Sequence, residues 1–130
     1  SSMVNSRQKG KRGELAFRDL LRERAYVEAR RGQQFAGGPD SPDVVGGPKG
    51  FHFEVKFRET HQPWEAMAQA EKERSRFDVP VVAMKKNGKQ WLIVLREEDF
   101  FRLLRRAEGG ERAINLLIET TPTAKAEALR

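Results

Sequence analysis

Phe51-His52-Phe53-Glu54-Val55-Lys56-Phe57-Arg58 alternates without a break. Phe51, Phe53, Val55 and Phe57 fall on one face of an extended chain, and His52, Glu54, Lys56 and Arg58 on the other. That period of two predicts a β-strand with one apolar face. Downstream, Pro63 suits the first turn of a helix reaching about Arg76, with Trp64, Met67 and Ala68 as its apolar stripe. Val79–Lys86 and Gln90–Leu95 then flank Asn87-Gly88, a two-residue hairpin signal. The continuous apolar run Trp91–Leu95 suits a strand covered on both faces. Glu97, Glu98 and Asp99 suit the positive end of a further helix carrying Phe100, Phe101, Leu103 and Leu104. Gly109-Gly110 is expected to stop it before a short helix over Ile114–Ile118.

Upstream, Leu15, Phe17, Leu20 and Leu21 recur at helical spacing from about Gly10 to Arg24. Residues 1–9 are expected to form a loose basic arm, beginning with Ser1-Ser2-Met3, which looks like a cloning remnant before an initiator Met. Tyr26–Arg30 suits a short strand. Residues 31–43 are dense in Gly and Pro and read as an ordered loop, after which Val44-Val45 opens a strand that Gly46-Gly47-Pro48 ends. The predicted order is helix, three strands, helix, two strands, helix: an α/β sandwich with a mixed five-stranded sheet flanked by helices. A chain of 130 residues holds one such domain, placed at 10–119, with 120–130 as a flexible tail.

Composition excludes several chemistries. There is no cysteine, hence no disulfide scaffold, thiolate zinc site or cysteine nucleophile, and His52 and His61 are the only imidazoles. No stretch approaches the roughly 20 apolar residues of a membrane span, and no apolar h-region of a secretion signal opens the chain. A cytoplasmic location is expected. Twenty-five Lys and Arg face nineteen Asp and Glu, a net charge of +6. Residues 1–31 carry most of it, with nine basic side chains (Arg7, Lys9, Lys11, Arg12, Arg18, Arg22, Arg24, Arg30 and Arg31) against four acidic ones. A field so concentrated suits a polyanion, and nucleic acid in particular, although a solvated basic face kept for solubility has the same composition. Arg outnumbers Lys, and a guanidinium grips phosphate oxygens two at a time.

Three acids sit where a plain surface role is least expected. Glu14 borders the apolar stripe of the first helix, three residues before Phe17 and seven before Leu21. Asp43 directly precedes Val44-Val45, whereas Asp40 in the earlier Pro-Asp pair is followed by no strand and suits a turn. Glu54 and Lys56, two apart on a strand, share a face. If these groups share a cleft, three carboxylates and one ammonium sum to −2 and repel a phosphodiester until a divalent cation enters. All-oxygen donors favour Mg2+ or Mn2+ over zinc. The alternative is a salt-bridged strand face, a turn aspartate and a solvated helix residue, all without chemistry.

Taken in order, Lys9-Gly10-Lys11-Arg12-Gly13-Glu14, Pro42-Asp43 and Glu54-Val55-Lys56 resemble the PD-(D/E)XK nuclease superfamily, and within it the archaeal-type Holliday junction resolvases and their phage-encoded relatives. Arg30-Arg31-Gly32-Gln33-Gln34 and Pro42 to Gly46 are similar to the phage members in particular. The resemblance spans residues 7 to about 105 and implies a restriction-endonuclease-like fold and an enzyme that nicks four-way DNA junctions symmetrically, as a homodimer, through a metal-activated water. It implies Mg2+, with Mn2+ as substitute, held by Asp43, Glu54 and the carbonyl of Val55, with Glu14 assisting or holding a second ion and Lys56 catalytic. Gln69 matches a glutamine near the site in parts of the superfamily. Arg7, Lys9, Lys11, Arg12, Arg30, Arg31 and Arg58 are the expected DNA contacts, and the Phe100–Leu104 and Ile114–Ile118 runs are the candidate dimer interface, with core packing as the alternative for both. Two features depart from the resolvases: no serine in Gln33–Gly38, and Phe57-Arg58 in place of a small hydroxyl residue after Lys56. The rival readings are another nuclease of the superfamily, such as a repair nickase or exonuclease, and a non-catalytic DNA-binding protein. An RNA-binding module is disfavoured, since no exposed aromatic pattern suits base stacking.

Overall fold

The computed structural model describes residues 2–32 and 43–120, with side chains from residue 8 onward. Its elements are α1 (Ser2–Glu23), β1 (Arg30–Arg31), β2 (Val44–Val45), β3 (Phe51–Phe57), α2 (Pro63–Glu73), β4 (Val79–Lys85), β5 (Leu92–Val94) and α3 (Glu97–Thr120). The predicted order of helices and strands is thus observed. Residues 33–42, most of the stretch expected as an ordered loop, lie outside the described residues, as do the Arg7 side chain and residues 121–130. The span 10–119, expected as one domain, divides into two units, Ser1–Leu95 and Arg96–Arg130.

In the first unit the five strands form one mixed sheet in the order β1-β2-β3-β4-β5. β3 and β4 run parallel because α2 carries the chain back between them, and every other pair is antiparallel. Phe53 and Val55 of β3, with Val81 and Ala83 of β4, pack beneath Phe17 and Leu21 of α1. Phe17 is the hub of that core, its ring 5.2 Å from Phe53 and 5.1 Å from Trp91. The opposite face of β4, at Val82 and Met84, packs under Ala66, Met67 and Ala70 of α2. Glu54 pairs with Val82 in register, and paired residues share a face, so His52, Glu54 and Lys56 lie on the α2 side. Gly13 lets α1 close onto β3: a Cβ there would stand 2.8 Å from Cβ of Phe57. Pro80 is tolerated in a central strand for a geometric reason. Val79 N–H points to Gly50 O, so the N–H that Pro80 lacks would face the other edge, short of where β5 begins to pair.

Several expectations are corrected. Residues 2–9 continue α1 instead of forming a loose arm. The first strand is Arg30–Arg31, not Tyr26–Arg30, because the chain leaves α1 through a Schellman turn reaching Tyr26 and then a turn closed by Ala29 N–H on Tyr26 O. Tyr26 N–H bonds Leu21 O, Ala25 N–H bonds Arg22 O, and Ala25 takes a left-handed φ of 77°. α2 buries Ala66, Met67 and Ala70, one helical stripe, which leaves Trp64 86% exposed and Ala68 exposed on the opposite side. β5 is a short edge strand with Leu92 and Ile93 exposed, so the apolar run is not covered on both faces. The hairpin turn is closed by Lys89 N–H to Lys86 O, with φ positive at Gly88 and not at Asn87, so it is not the primed two-residue type.

In the second unit, α3 runs through Gly109-Gly110 as one helix to Thr120. Two helical glycines cost about 2 kcal/mol relative to alanine, too little to break a helix of good formers on both sides. Buried Asp99, in its first turn, receives Arg96 Nε at 2.8 Å. Phe100, Phe101, Leu104, Ile114, Leu116 and Leu117 are exposed. No helix among the described residues is long and apolar enough to cross a membrane.

Candidate active site

Asp43 stands where β2 begins, and its backbone and side chain are both used. Its N–H bonds Phe53 O at 3.2 Å and its C=O receives Gly32 N–H at 3.0 Å. Its Oδ2 accepts the Val55 N–H at 2.7 Å, doing for β3 what the next residue of a longer β2 would do. Phe53 and Val55 are two apart and present their backbone groups to the same edge, so the Val55 carbonyl also faces the side on which Asp43 lies. Proximity of the Asp43 carboxylate to the Glu54-Val55-Lys56 segment is therefore a consequence of strand register.

Glu54 points from the buried face of β3 and is only 2% exposed. Its Oε1 lies 3.2 Å from Lys56 Nζ, while its Oε2 is buried with no hydrogen-bond partner among the described residues. Lys56 Nζ also donates to Gln69 Oε1 of α2 at 3.2 Å, and Gln69 Nε2 donates to Glu73 Oε1 at 3.2 Å. Glu14, buried on α1, receives Arg31 Nε of β1 on its Oε2 at 2.7 Å.

A cleft of about 600 Å3 gathers these groups: Glu14, Asp43, Glu54, Val55 and Lys56 all line it, together with Lys9, Arg12 and Arg58. Arg12 is further held over the Phe57 ring, 5.2 Å from its centroid. Burial pushes the Glu54 carboxyl up from its ordinary 4.5 to about 8, and the negative charge of Asp43 adds to this against the attraction of Lys56. Burial also pushes Asp43 up, to about 6, against the pull of the Val55 N–H, with Glu14 raising it further. Two neighbouring carboxyls that resist ionisation, one with an unsatisfied buried oxygen, are a place where a cation is favoured. The donors Asp43, Glu54, Glu14 and the Val55 carbonyl are all oxygen, which fits the hard ion that the sequence suggested.

All four predicted chemical residues thus share one cleft, and Gln69 touches one of them. Of the expected DNA contacts, Lys9, Arg12 and Arg58 line the cleft and Arg31 is committed to Glu14. Lys11 is exposed outside it, and exposed Arg30 donates to Glu28 O at 3.3 Å. Two residues escaped sequence reasoning. His52, on the polar face of the alternation, is 1% exposed because α2 covers this face. Glu73 was not singled out, though its place four after Gln69 put both on one helix face. His61, the other imidazole, is half-buried with Nε2 3.0 Å from Lys85 O. No protein-family model matches the chain, and neither does any curated protein or solved structure.

Proposed function

We propose that the chain is a Mg2+-dependent DNA endonuclease of the PD-(D/E)XK superfamily, with the restriction-endonuclease-like fold, that nicks four-way junctions symmetrically. The observation that carries the reading is the meeting of Glu14, Asp43, Glu54 and Lys56, drawn from three separate segments, in one cleft edged by basic side chains. Asp43, Glu54 and the Val55 carbonyl would hold the ion, with Glu14 in support. When bound, such an ion polarises a phosphodiester and lowers the pKa of an attacking water.

The remaining work falls to side chains. Lys56 is steered by Glu54 on its own strand and Gln69 on α2, which aims one ammonium at the reacting region to orient water or offset developing charge. Lys9, Arg12 and Arg58 grip the sugar-phosphate chain, a contact that ignores base sequence. Symmetric nicking calls for two sites, hence a homodimer. The exposed apolar residues of α3 supply a surface for it.

The deciding experiment is cleavage of a labelled four-way junction and a matched linear duplex, in Mg2+ and in EDTA, by the wild type and by Lys56→Ala. Paired nicks confined to the junction, dependent on metal and lost in the variant, are expected. Cutting of both substrates would make the chain another nuclease of the superfamily. Junction binding with no cutting in any metal would leave a DNA-binding protein and overturn the catalytic assignment.

A further inference from the structure

Behind the cleft, on the α2 side of β3, a second group of donors converges. One ligand atom from each of His52, Glu54 and Glu73 lies within 4.8 Å of the others. His52 and Glu54 come from alternate positions of β3, and Glu73 from the last turn of α2, so the group ties the helix to the strand. Two of the three side chains are more than nine-tenths buried. The Glu54 carboxylate carries a buried Oε2 with no hydrogen-bond partner among the described residues, its Oε1 lying 3.2 Å from Lys56 Nζ. The charge of two carboxylates beside an imidazole, in a place water reaches poorly, favours a cation.

We propose that His52, Glu54 and Glu73 form a site for a divalent first-row transition-metal ion, distinct in its donors from the Asp43 centre and sharing Glu54 with it. The imidazole sets the selectivity. Nitrogen donors suit Zn2+ and its neighbours, while Mg2+ prefers oxygen and gives up its waters reluctantly. Ligands about 2.1 Å from a tetrahedral zinc stand roughly 3.4 Å apart, so the three atoms, within 4.8 Å of one another, need close by at most about 1.4 Å. Glu73 can supply that movement, since it is half-buried at the end of a helix and carries the most freedom of the three. An ion here clamps α2 onto β3 and fixes the orientation of Glu54. It requires neither DNA nor hydrolysis, so it stands whether or not the chain is a nuclease.

The test uses the whole chain and Zn2+ alone, read by 1H–15N correlation of the two imidazoles. Zn2+ should move the His52 ring nitrogens, and by more than Mg2+ does, since Mg2+ would reach only the neighbouring Glu54. Glu73→Gln should weaken Zn2+ binding by more than about tenfold, a ligand loss being at least as costly as loss of an outer-shell partner. Asp43→Asn should still bind. The same backbone spectrum reports whether each variant is folded. His52 resonances unmoved by Zn2+, equal binding by Glu73→Gln, or loss of binding in Asp43→Asn would each overturn the site.

Discussion

Glu54→Gln isolates the electrostatic cost of the cleft. In the wild type the carboxyl is nearly inaccessible and titrates at about 8 against an ordinary 4.5. Between those values the folded chain keeps a proton that the unfolded chain has released. Stability therefore falls as pH rises from about 4.5 to about 8, with a limiting slope of about 1.4 kcal/mol per pH unit for one group. The full shift corresponds to a ceiling of about 5 kcal/mol, but Asp43 titrates in the same window and the protons belong to the pair. Counting about half of the ceiling leaves some 2 kcal/mol that the wild type loses and the amide variant does not. For a chain of this length that is roughly 6–10 °C in melting temperature. The carboxamide introduces a constant penalty for its buried N–H groups, which drops out when the two proteins are compared across pH. Thermal melts in EDTA at pH 5, 7 and 8.5 make the comparison. The variant should gain on the wild type steadily, and Mg2+ at pH 8.5 should restore the wild type by stabilising the ionised carboxylate. Parallel pH profiles for the two proteins would refute the burial argument.

Two further substitutions address the frame around the cleft. Ala25→Gly relieves a left-handed residue in the Schellman turn closing α1 and should stabilise the fold by about 1 kcal/mol, read as a higher urea midpoint at unchanged m-value; no gain would mean the turn is not the one described. Arg31→Ala strips the charge-assisted bond from buried Glu14 and should cost about 1.5–3 kcal/mol by the same urea measurement, a loss under 0.5 kcal/mol being incompatible with a tight 2.7 Å pair.

Local pattern carried the order of elements because each signal acts over a few residues: alternation at Phe51–Phe57, Pro63 at a helix start, acids opening α3. The errors fall where tertiary context outweighs local preference. Trp64 looks like core by composition, yet the stripe of α2 that meets the sheet runs through Ala66, Met67 and Ala70. Trp91–Leu95 looks doubly covered by hydropathy, yet an edge strand leaves Leu92 and Ile93 exposed. The candidate site divides in the same way. Glu54 and Lys56 are coupled by strand period, and the position of Asp43 just before a strand is a local fact. The pairing of Glu14 with Arg31, and the approach of Glu73 to within 4.8 Å of His52 and Glu54, depend on which helix covers which face. No spacing in the sequence contains that information.

The charges lining the cleft nearly balance, so their depth decides what the cleft does. Glu14 and Glu54 are buried and Asp43 is half-buried, whereas Lys9, Arg12 and Arg58 are exposed. A polyanion arriving from solvent meets the basic rim first and is attracted there, and screening by salt weakens that step because it involves exposed charge. Where pH has ionised Asp43 and Glu54, the acidic floor then opposes further approach, and the opposition is strong because the surrounding protein screens it poorly. On the proposed reading, binding and cutting are separated by depth. The rim suffices for a salt-sensitive complex without metal, and neutralising the floor is what admits the phosphodiester. Burial that raises the Glu54 and Asp43 carboxyls works in the same direction: it weakens the fold at high pH while making a cation the most favourable partner those oxygens can acquire.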